Sequence, residues 1–400
     1  MEANTIVVDR GALLKALDLV GMAVHSRSTI PVLQTARLRS NGVLAIEGTD
    51  LDLGVRCEIA VTGKADDMLL PDTGRVRRAL ATGGGEQVSL KPIPPEGGKG
   101  SPGVTVRSGD LGVDLSTMVA DDHPGVDSVH FEEFRAELGE VALATLARVA
   151  PAISSEETRY YLNGICLDRI DDWTWRFVAT DGHRIMMADV ALPGATGGLP
   201  ERAIVPKWLL APMLKQFART REPVVVRYGR TARSNQRGAD LTVEPGRALL
   251  EMATQLGPCR VLLCGKLIDG TYPDYKRVIP SHSDRVWRFD KAALARAIQT
   301  VASIGEGKII AVKIEAIGDG EVMVSQSSVL GTAAIGIHAE MRGTKGDSPA
   351  YGFNSRYLLE MLGSLRGDTV ELAMTDAASP VVITDPEDAG FRGVLMPMRI

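Results

Sequence analysis

One helical pattern occurs three times along the chain, at a spacing of about 130–150 residues, which is the size of a domain. The three stretches are "VVDRGALLKALDLVG" (7–21), "AELGEVALATLARVA" (136–150) and "RFDKAALARAIQTVA" (288–302). In the first and third, apolar residues recur at i, i+4 and i+7 behind an Asp that can cap a helix. The chain is therefore expected to fold as three copies of one domain-sized unit.

The repeated helix has a buried and an exposed side in both of its clearest copies. Its apolar stripe and its cap are Leu13, Leu17, Val20 and Asp9 in the first copy, and Leu294, Ile298, Val301 and Asp290 in the third. A basic residue, Lys15 or Arg296, stands on the opposite side. This pattern predicts a helix that packs on a core and presents positive charge outward.

A second helix recurs downstream in each unit, as "DTGRVRRAL" (72–80), "PKWLLAPML" (206–214) and "NSRYLLEML" (354–362). Pro206 suits a first helical turn. Pro212 lies deeper in the same helix, where its missing N–H predicts a kink or a shortened helix.

A β-hairpin separates the two helices of each unit. The turns are expected at Asn41-Gly42, near Asp171-Asp172 and at Gly318-Asp319-Gly320, because these residues favour tight turns between alternating strands. Two helices and antiparallel strands in each unit indicate the α+β class.

The repeat predicts three domains, at 1–125, 126–281 and 282–400. Turn-forming residues make 119–128 and 279–285 the candidate linkers. Two stretches rich in Gly, Pro or charge, 91–103 and roughly 229–258, interrupt the repeat and are expected to be mobile surface loops.

The distribution of charge matters more than its sum. The net charge of −5 and the pI of about 5.8 argue, taken alone, against binding to nucleic acid. The six predicted helices nevertheless carry more than twice as many basic as acidic residues. Exposed helix faces often carry Lys and Arg, but the same bias in six helices favours a common surface that attracts phosphate without reading bases.

The composition indicates in which cellular compartment the protein is expected to work. No apolar run has the length of a membrane span, and the start "MEANTIVVDR" lacks the features of a secretory signal. The four cysteines are scattered and include no paired zinc motif, so we expect reduced thiols in a cytoplasmic protein and no metal.

The segment "VATDGHRI" (178–185) raises the question of catalysis. Asp181 and His183 could form an acid–base pair or a metal corner, or Asp181 could simply form a turn. The sequence contains no G-x-S-x-G elbow, no P-loop and no H-x-x-x-H pair, so the turn is favoured, with no catalytic residue and no cofactor.

Five strings together resemble the bacterial beta sliding clamp family of DNA polymerase III. They are "TIPVLQTARLRSNGVLAIEGTDLDLGV" (29–55), "TRYYLNGICLD" (158–168), "VATDGHRI", "GKLIDGTYPDYKRVIP" (265–280) and "VLMPMRI" (394–400), in order over essentially the whole chain. The resemblance implies a DNA clamp fold of three similar domains, each with two helices packed on antiparallel sheets. Two such chains would close head to tail into a ring.

The resemblance also implies the partners and the task. The ring would encircle duplex DNA without sequence preference, tether the polymerase as a processivity factor, and be opened by a loader ATPase. The clamp itself would do no chemistry. The polymerase catalytic subunit and the clamp-loader subunits would bind through short apolar peptides, and no membrane is involved.

Three sets of residues carry over from the family by position. The residues implied in the peptide pocket are Leu162, Thr180, Gly182, His183, Arg184, Ile185, Pro273, Arg277, Val278, Val381, Val394, Met396, Pro397, Met398 and Arg399. The residues implied to face DNA are Arg10, Lys15, Arg27, Arg75, Arg77, Arg78, Arg148, Tyr160, Tyr161, Lys207, Lys215, Lys291, Arg296 and Arg356. The dimer interface is implied to include Val113, Leu115 and Val301.

The chain departs from the family at two places. In relatives a basic edge strand of the first domain commonly pairs with glutamates of the third, whereas here Asp110 and Gly112 stand in the first and 325–336 has no acid. An apolar interface is expected instead. Glu156 and Glu157 lie beside a loop that often touches DNA in relatives and should weaken that contact. A protein scaffold that does not bind DNA is disfavoured, because it would keep the pocket and lose the basic helices.

Overall fold

Six α-helices confirm the helical part of the repeat. The computed structural model describes residues 4–95, 100–217, 220–237, 240–318, 320–343 and 349–400, with the backbone only at 233–237 and 240–243. The helices are α1 (Arg10–Val20), α2 (Thr73–Thr82), α3 (Glu140–Val149), α4 (Lys207–Phe217), α5 (Lys291–Ala302) and α6 (Ser355–Ser364).

Antiparallel strands make up most of the rest of the described chain. They are β1 (Thr5–Asp9), β2 (Thr35–Ser40), β3 (Val43–Thr49), β4 (Gly54–Ala60), β5 (Thr62–Lys64), β6 (Met68–Pro71), β7 (Gln87–Ile93), β8 (Gly103–Ser108), β9 (Leu111–Ser116), β10 (Phe131–Leu138), β11 (Gly164–Arg169), β12 (Thr174–Thr180), β13 (Arg184–Ala191), β14 (Thr196–Gly197), β15 (Ala203–Pro206), β16 (Val224–Arg237), β17 (Asp240–Leu256), β18 (Cys259–Gly265), β19 (Arg285–Asp290), β20 (Ala311–Gly318), β21 (Glu321–Ser328), β22 (Gly331–His338), β23 (Glu340–Gly343), β24 (Tyr351–Asn354), β25 (Thr369–Met374), β26 (Val381–Asp385) and β27 (Asp388–Leu395).

Each helix follows directly on a strand, in the same order three times. The strands β1, β10 and β19 lead into α1, α3 and α5, and the short strands β6, β15 and β24 lead into α2, α4 and α6. Polar caps fix where several of these helices begin. Asp9 accepts a hydrogen bond from the Ala12 N–H at 2.8 Å, and Asp290 accepts one from the Ala293 N–H at 2.6 Å, as predicted.

The helix α4 begins one residue later than predicted, and its internal proline does not shorten it. Pro206 ends β15, and the helix begins one residue later. Pro212 lies inside α4 but does not shorten it, since the helix continues to Phe217. The buried side chains of Leu210 and Met213 on either side of the proline hold the helix on its core, and this packing outweighs the missing hydrogen bond.

The chain divides into two compact units. One comprises residues 1–143, 194–199 and 208–267, and the other comprises 144–193, 200–207 and 268–400. The first unit contains a five-stranded sheet, β5-β1-β7-β8-β9, and a nine-stranded sheet, β14-β10-β16-β17-β18-β4-β3-β2-β6. The second contains a nine-stranded sheet, β15-β11-β12-β13-β27-β26-β25-β19-β23, and a four-stranded sheet, β22-β21-β20-β24.

The predicted hairpins form, and one predicted loop does not. The turns after Ser40 and after Arg169 join β2 to β3 and β11 to β12, and Asp319 of the third turn lies outside the described residues. The stretch 229–258 is not a loop: β16 and β17 pair from Val225 with Ala253 out to Arg237 with Asp240. The stretch 91–103 extends β7 and then enters residues outside those described.

The predicted linker 119–128 is anchored along the first unit. The guanidinium of Arg56 donates to Ser128 Oγ at 3.2 Å, and Arg56 Nε lies 2.7 Å from the buried carboxylate of Glu47. Next in the chain, the Val129 N–H donates to the buried carboxylate of Glu251 at 3.1 Å. Because these carboxylates are closed to water, they fix the connector to the sheet.

All four cysteines are free and buried. Burial is the main cause that raises the pKa of Cys259, to about 11, and that of Cys166, to about 12. Thiols in this state are poor nucleophiles and poor metal ligands.

Candidate functional site

The segment 178–185 forms a turn, and its polar side chains are used to build that turn. Asp181 Oδ1 accepts hydrogen bonds from the backbone N–H groups of His183 and Arg184, at 3.0 and 3.1 Å. Thr180 Oγ1 donates to the Arg184 carbonyl at 2.7 Å, and Gly182 takes a φ of +88°. Asp181 is thus a turn former that binds backbone, and no contact joins its carboxylate to the His183 ring.

Arg184 is the centre of a buried ionic cluster. Its side chain is only 3% exposed, and its guanidinium lies 3.1 Å from Asp181 Oδ2 and 2.6 Å from Glu360 Oε2. The same guanidinium stands over the ring of Tyr357, 4.1 Å from its centroid, and His183 stacks on that ring at 6.5 Å. Arg184 therefore holds the turn against α6.

Beside this turn lies a cavity of about 290 Å³. Leu162, Ile185, Tyr275 and Val394 belong to one buried apolar cluster and form its floor. Met396, which is 42% exposed, stands at the rim. An apolar cavity with a few polar groups at its mouth suits a small apolar ligand or side chain.

The structure brings most of the predicted pocket residues together. Those that line the cavity are Leu162, Thr180, Gly182, His183, Arg184, Ile185, Pro273, Val278, Val394 and Met396.

Five predicted pocket residues do not line the cavity. Val381 is fully buried and pairs with Leu395 in the sheet. The Arg277 side chain is 84% exposed and lies 3.0 Å from a carboxylate oxygen of Asp274. The others, all beyond the end of β27, are Pro397, Met398 and Arg399.

Four residues line the cavity without having been predicted in the pocket. They are Arg159, Tyr161, Asp274 and Tyr275. Each lies in or beside a string that carries predicted residues, so proximity in sequence was the available signal. The Tyr275 hydroxyl donates to Asp168 Oδ2 at 2.7 Å, and burial is the main cause that raises its pKa.

The residues predicted to face DNA fall into two groups. Those that are exposed are Lys15, Arg27, Arg75, Arg78, Tyr160, Lys207, Lys215, Arg296 and Arg356. Arg75, with a side chain 80% exposed, reaches Asp72 at 2.9 Å across open solvent, a contact that costs little to break. These side chains remain able to meet phosphate.

The other five predicted DNA-facing residues are partly or wholly engaged within the chain. The Arg148 side chain is 12% exposed and lies 2.7 Å from Asp388, and it stands over Phe391. This ion pair argues against a contact with DNA, and the assignment of Arg148 to the DNA-facing set stays a prediction. Tyr161 is half-buried in the pocket wall, and Arg77 pairs with Asp18.

Arg10 and Lys291 have an equivalent internal role in two of the repeats. Arg10 donates to the Leu80 carbonyl at 3.1 Å, and Lys291 donates to the Leu365 carbonyl at 3.1 Å. Leu80 lies in the last turn of α2, and Leu365 directly follows α6. Each cation therefore satisfies a carbonyl at the C-terminal end of the neighbouring helix.

Two of the edge strands in the described sheets bear on the predicted dimer contact. The strand β9 ends the five-stranded sheet, and β22 ends the four-stranded one. Val113 and Leu115 alternate with exposed residues along β9, as an edge contact requires. Val301 is fully buried in α5, on the stripe that packs on its own sheet, so its predicted place at a dimer interface is wrong.

Within the ranges that the structure describes, no group of three or more His, Cys, Asp or Glu side chains could hold a metal ion. Over the same residues, no helix is long and apolar enough to cross a membrane.

Two family models match consecutive parts of the chain. The central domain of the DNA polymerase III beta subunit matches residues 139–274, and its C-terminal domain matches residues 276–399. Among curated relatives, the beta sliding clamp of Caulobacter vibrioides (strain NA1000 / CB15N) is 30% identical over 403 residues, 99% of this chain and 100% of that protein.

Solved structures agree in fold over the same length. The DnaN sliding clamp of Bartonella birtlesii, bound to griselimycin, has a TM-score of 0.82 at 29% identity and covers 99% of each chain. The DNA polymerase sliding clamp of Caulobacter crescentus has a TM-score of 0.83 at 27% identity over 100% of each chain.

Proposed function

The chain belongs to the DNA polymerase III beta subunit family, the bacterial beta sliding clamps, and on that premise we propose how its surfaces serve that task. It is a DNA sliding clamp: a non-catalytic subunit of DNA polymerase III that dimerises and binds DNA and polymerase. We infer that two chains, each of three domains at about 1–125, 126–281 and 282–400, close head to tail around duplex DNA in the cytoplasm. The ring then tethers the replicative polymerase and gives it processivity.

The apolar cavity between the turn at 180–185 and the end of β27 carries this proposal. Its buried floor and exposed rim suit a short apolar segment, which the polymerase catalytic subunit and the clamp-loader subunits would each present. We propose that griselimycin, which is bound to the Bartonella birtlesii clamp, binds this apolar cavity in the present chain.

Sequence-independent contact with DNA is supported by the exposed cations of the helices. Lys15, Arg75 and Arg78 in the first unit, and Arg296 and Arg356 in the second, are free to approach phosphate. Point charges on mobile side chains contact the backbone of DNA and carry no base readout.

The pocket is tested by griselimycin titration of a Val278→Asp variant. Val278 lines the cavity and is 52% exposed, so a carboxylate there meets the ligand without disturbing the core. We expect affinity to fall about tenfold or more, since the apolar contact is lost and a charge is desolvated. The control is Ile170→Asp, at an exposed hairpin turn away from the cavity. Equal affinities for the two variants would place the ligand elsewhere.

The ring is tested by loading the protein onto nicked circular duplex DNA with its loader and ATP. Retention should end when the circle is cut, because a closed ring can slide off DNA only over a free end. Equal retention on cut and uncut DNA would show ordinary surface binding instead.

A further inference from the structure

The last five residues, 396–400, here called the tail, connect the cavity to a second sheet. The tail leaves β27, and the Met396 N–H donates to the His183 carbonyl at 2.9 Å, at the cavity rim. Two residues later the Met398 N–H donates to the Gly352 carbonyl at 2.9 Å. Gly352 lies in β24, the edge strand of the four-stranded sheet. The tail thus uses an otherwise open sheet edge as an anchor.

The tail and β24 approach so closely that only glycine fits at position 352. A Cβ built on Gly352 would lie 2.4 Å from the Met398 carbonyl oxygen and 2.3 Å from Ile400 Cγ2. The backbone of Gly352 cannot move away, because its other side pairs with Lys313 of β20. Its φ does not lie in the left-handed region, so the close approach of the tail, and not the local conformation, calls for glycine here.

Met396 depends on anchors on both sides of it. Before it, Leu395 pairs with Arg184 of β13 and Val381 of β26. After it, the first anchor beyond Pro397 is the bond from Met398 to Gly352. The Met396 backbone is held by its bond to the His183 carbonyl, but the residue is 42% exposed, so packing does little to fix its side chain.

We propose that Gly352 is a positioning residue for the cavity: it holds the tail on β24 and, through the tail, keeps Met396 in the cavity wall. This inference rests on the proposed function, because it assumes that the cavity receives a partner peptide. Gly352 would never touch that peptide. Because Gly352 keeps Met396 ordered before the peptide binds, binding loses less conformational entropy.

The test is a double-mutant cycle on the full-length dimer. A fluorescein-labelled synthetic peptide, copied from the clamp-binding segment of the host's DNA polymerase III catalytic subunit, is titrated by anisotropy. Gly352→Ala should weaken binding about tenfold, roughly what ordering one or two backbone residues costs. A variant that lacks residues 398–400 should lose about as much. Gly352→Ala in that shortened chain should cost nothing further, since the atoms it would meet are gone.

The matched control is Gly363→Ala in α6, where the added Cβ meets nothing within 4 Å. Met398→Pro is the second variant: it removes the N–H that bonds Gly352 and leaves β24 unaltered, so it should weaken binding even if Gly352→Ala lowers the melting temperature. Unchanged affinity in Gly352→Ala and Met398→Pro would overturn the inference. Additive losses in the double variant would also overturn it, because Gly352 would then act on its own sheet. A wild-type protein that fails to bind the peptide would instead overturn the proposed pocket.

Discussion

At the residue scale, Arg184 shows how a side chain beside a binding site can serve it without facing the ligand. The residue was predicted in the pocket, and it does border the cavity. Its charged end, however, is turned to Asp181, Glu360 and the ring of Tyr357. The first partner comes from its own turn and the other two from α6, more than 170 residues away in the sequence. A local motif cannot reveal partners at such a separation.

Replacing Arg184 with Ala should lower the free energy of unfolding by on the order of 3 kcal/mol, because it leaves the largely buried carboxylate of Asp181 without its cation. Peptide affinity should fall as well, since the turn loses its attachment to α6. The measurements are urea denaturation and peptide titration. Arg260→Ala is the control, because its side chain is 70% exposed and an exposed change costs within about 0.5 kcal/mol. Equal stability of the two variants would contradict this role.

His123 is a second buried residue whose environment has a measurable consequence. It is 2% exposed, its Nδ1 accepts a hydrogen bond from the Gly125 N–H at 3.0 Å, and Arg37 donates to its carbonyl at 3.4 Å. Burial, and then the nearby charge of Arg37, lowers the pKa of His123 from 6.5 to about 4. The folded protein therefore holds this ring neutral.

Stability should accordingly fall as the pH falls from 6.5 toward 4, because the unfolded chain binds a proton that the folded chain refuses. The contribution is fully present above pH 6.5. Melting temperatures at pH 7 and pH 5 measure it, and His123→Asn, which keeps an acceptor for Gly125 but cannot titrate in this range, should lose less between the two. An identical loss in both proteins would assign the pH dependence to other groups.

At the scale of the element, the sequence predicted what local chemistry dictates. Helix starts followed from Asp9 and Asp290, and the first hairpin followed from Asn41-Gly42. Sequence reasoning was less informative where an outcome depends on contacts between distant segments. Arg148 was assigned to DNA because its charge is visible in sequence, whereas its neighbour Asp388 is brought to it only by the fold. The stretch 229–258 was predicted to be a loop because its residues are rich in Gly and charge. The long pairing of β16 with β17 leaves no distinct mark in that composition.

The exposed basic side chains of the helices should determine how long the loaded clamp is retained on DNA. Arg75→Glu combined with Arg78→Glu should reduce retention of the loaded clamp on circular DNA at low salt, and the retention of the variant should depend less steeply on salt than that of the wild type, because fewer phosphates are neutralised. A control of equal charge change is Lys64→Glu with Arg392→Glu, which alters exposed residues of strands β5 and β27. If both pairs of changes weaken retention equally, overall charge and not the helix surface is responsible.

At the scale of the whole molecule, the open edges β9 and β22 should set the behaviour of the dimer. Val113 and Leu115 offer β9 an apolar row, and 325–336 contains no acid that could pair with a cation. An apolar contact is not screened by salt, unlike one built on exposed ion pairs. The dimer should therefore persist from low salt to about 1 M, where the Debye length is about 3 Å.

Light scattering across this salt range measures the mass. Val113→Asp with Leu115→Asp should give monomers, since two charges would be buried without partners. Dissociation of the wild-type dimer by salt alone would show that ion pairs hold the interface after all.

The pairing of β18 with β4, from Arg260 opposite Glu58 to Cys264 opposite Gly54, has a consequence for dissecting the chain. It makes one sheet from segments some 200 residues apart. A fragment that stops at residue 125 would lack β18, the strand that pairs with β4, and the hydrogen bond between Glu251 and Val129. The edge of β4 and apolar side chains beside it would then be exposed to water. Such a fragment is expected to precipitate or pair with itself when expressed. The predicted first domain, 1–125, is therefore not expected to fold on its own.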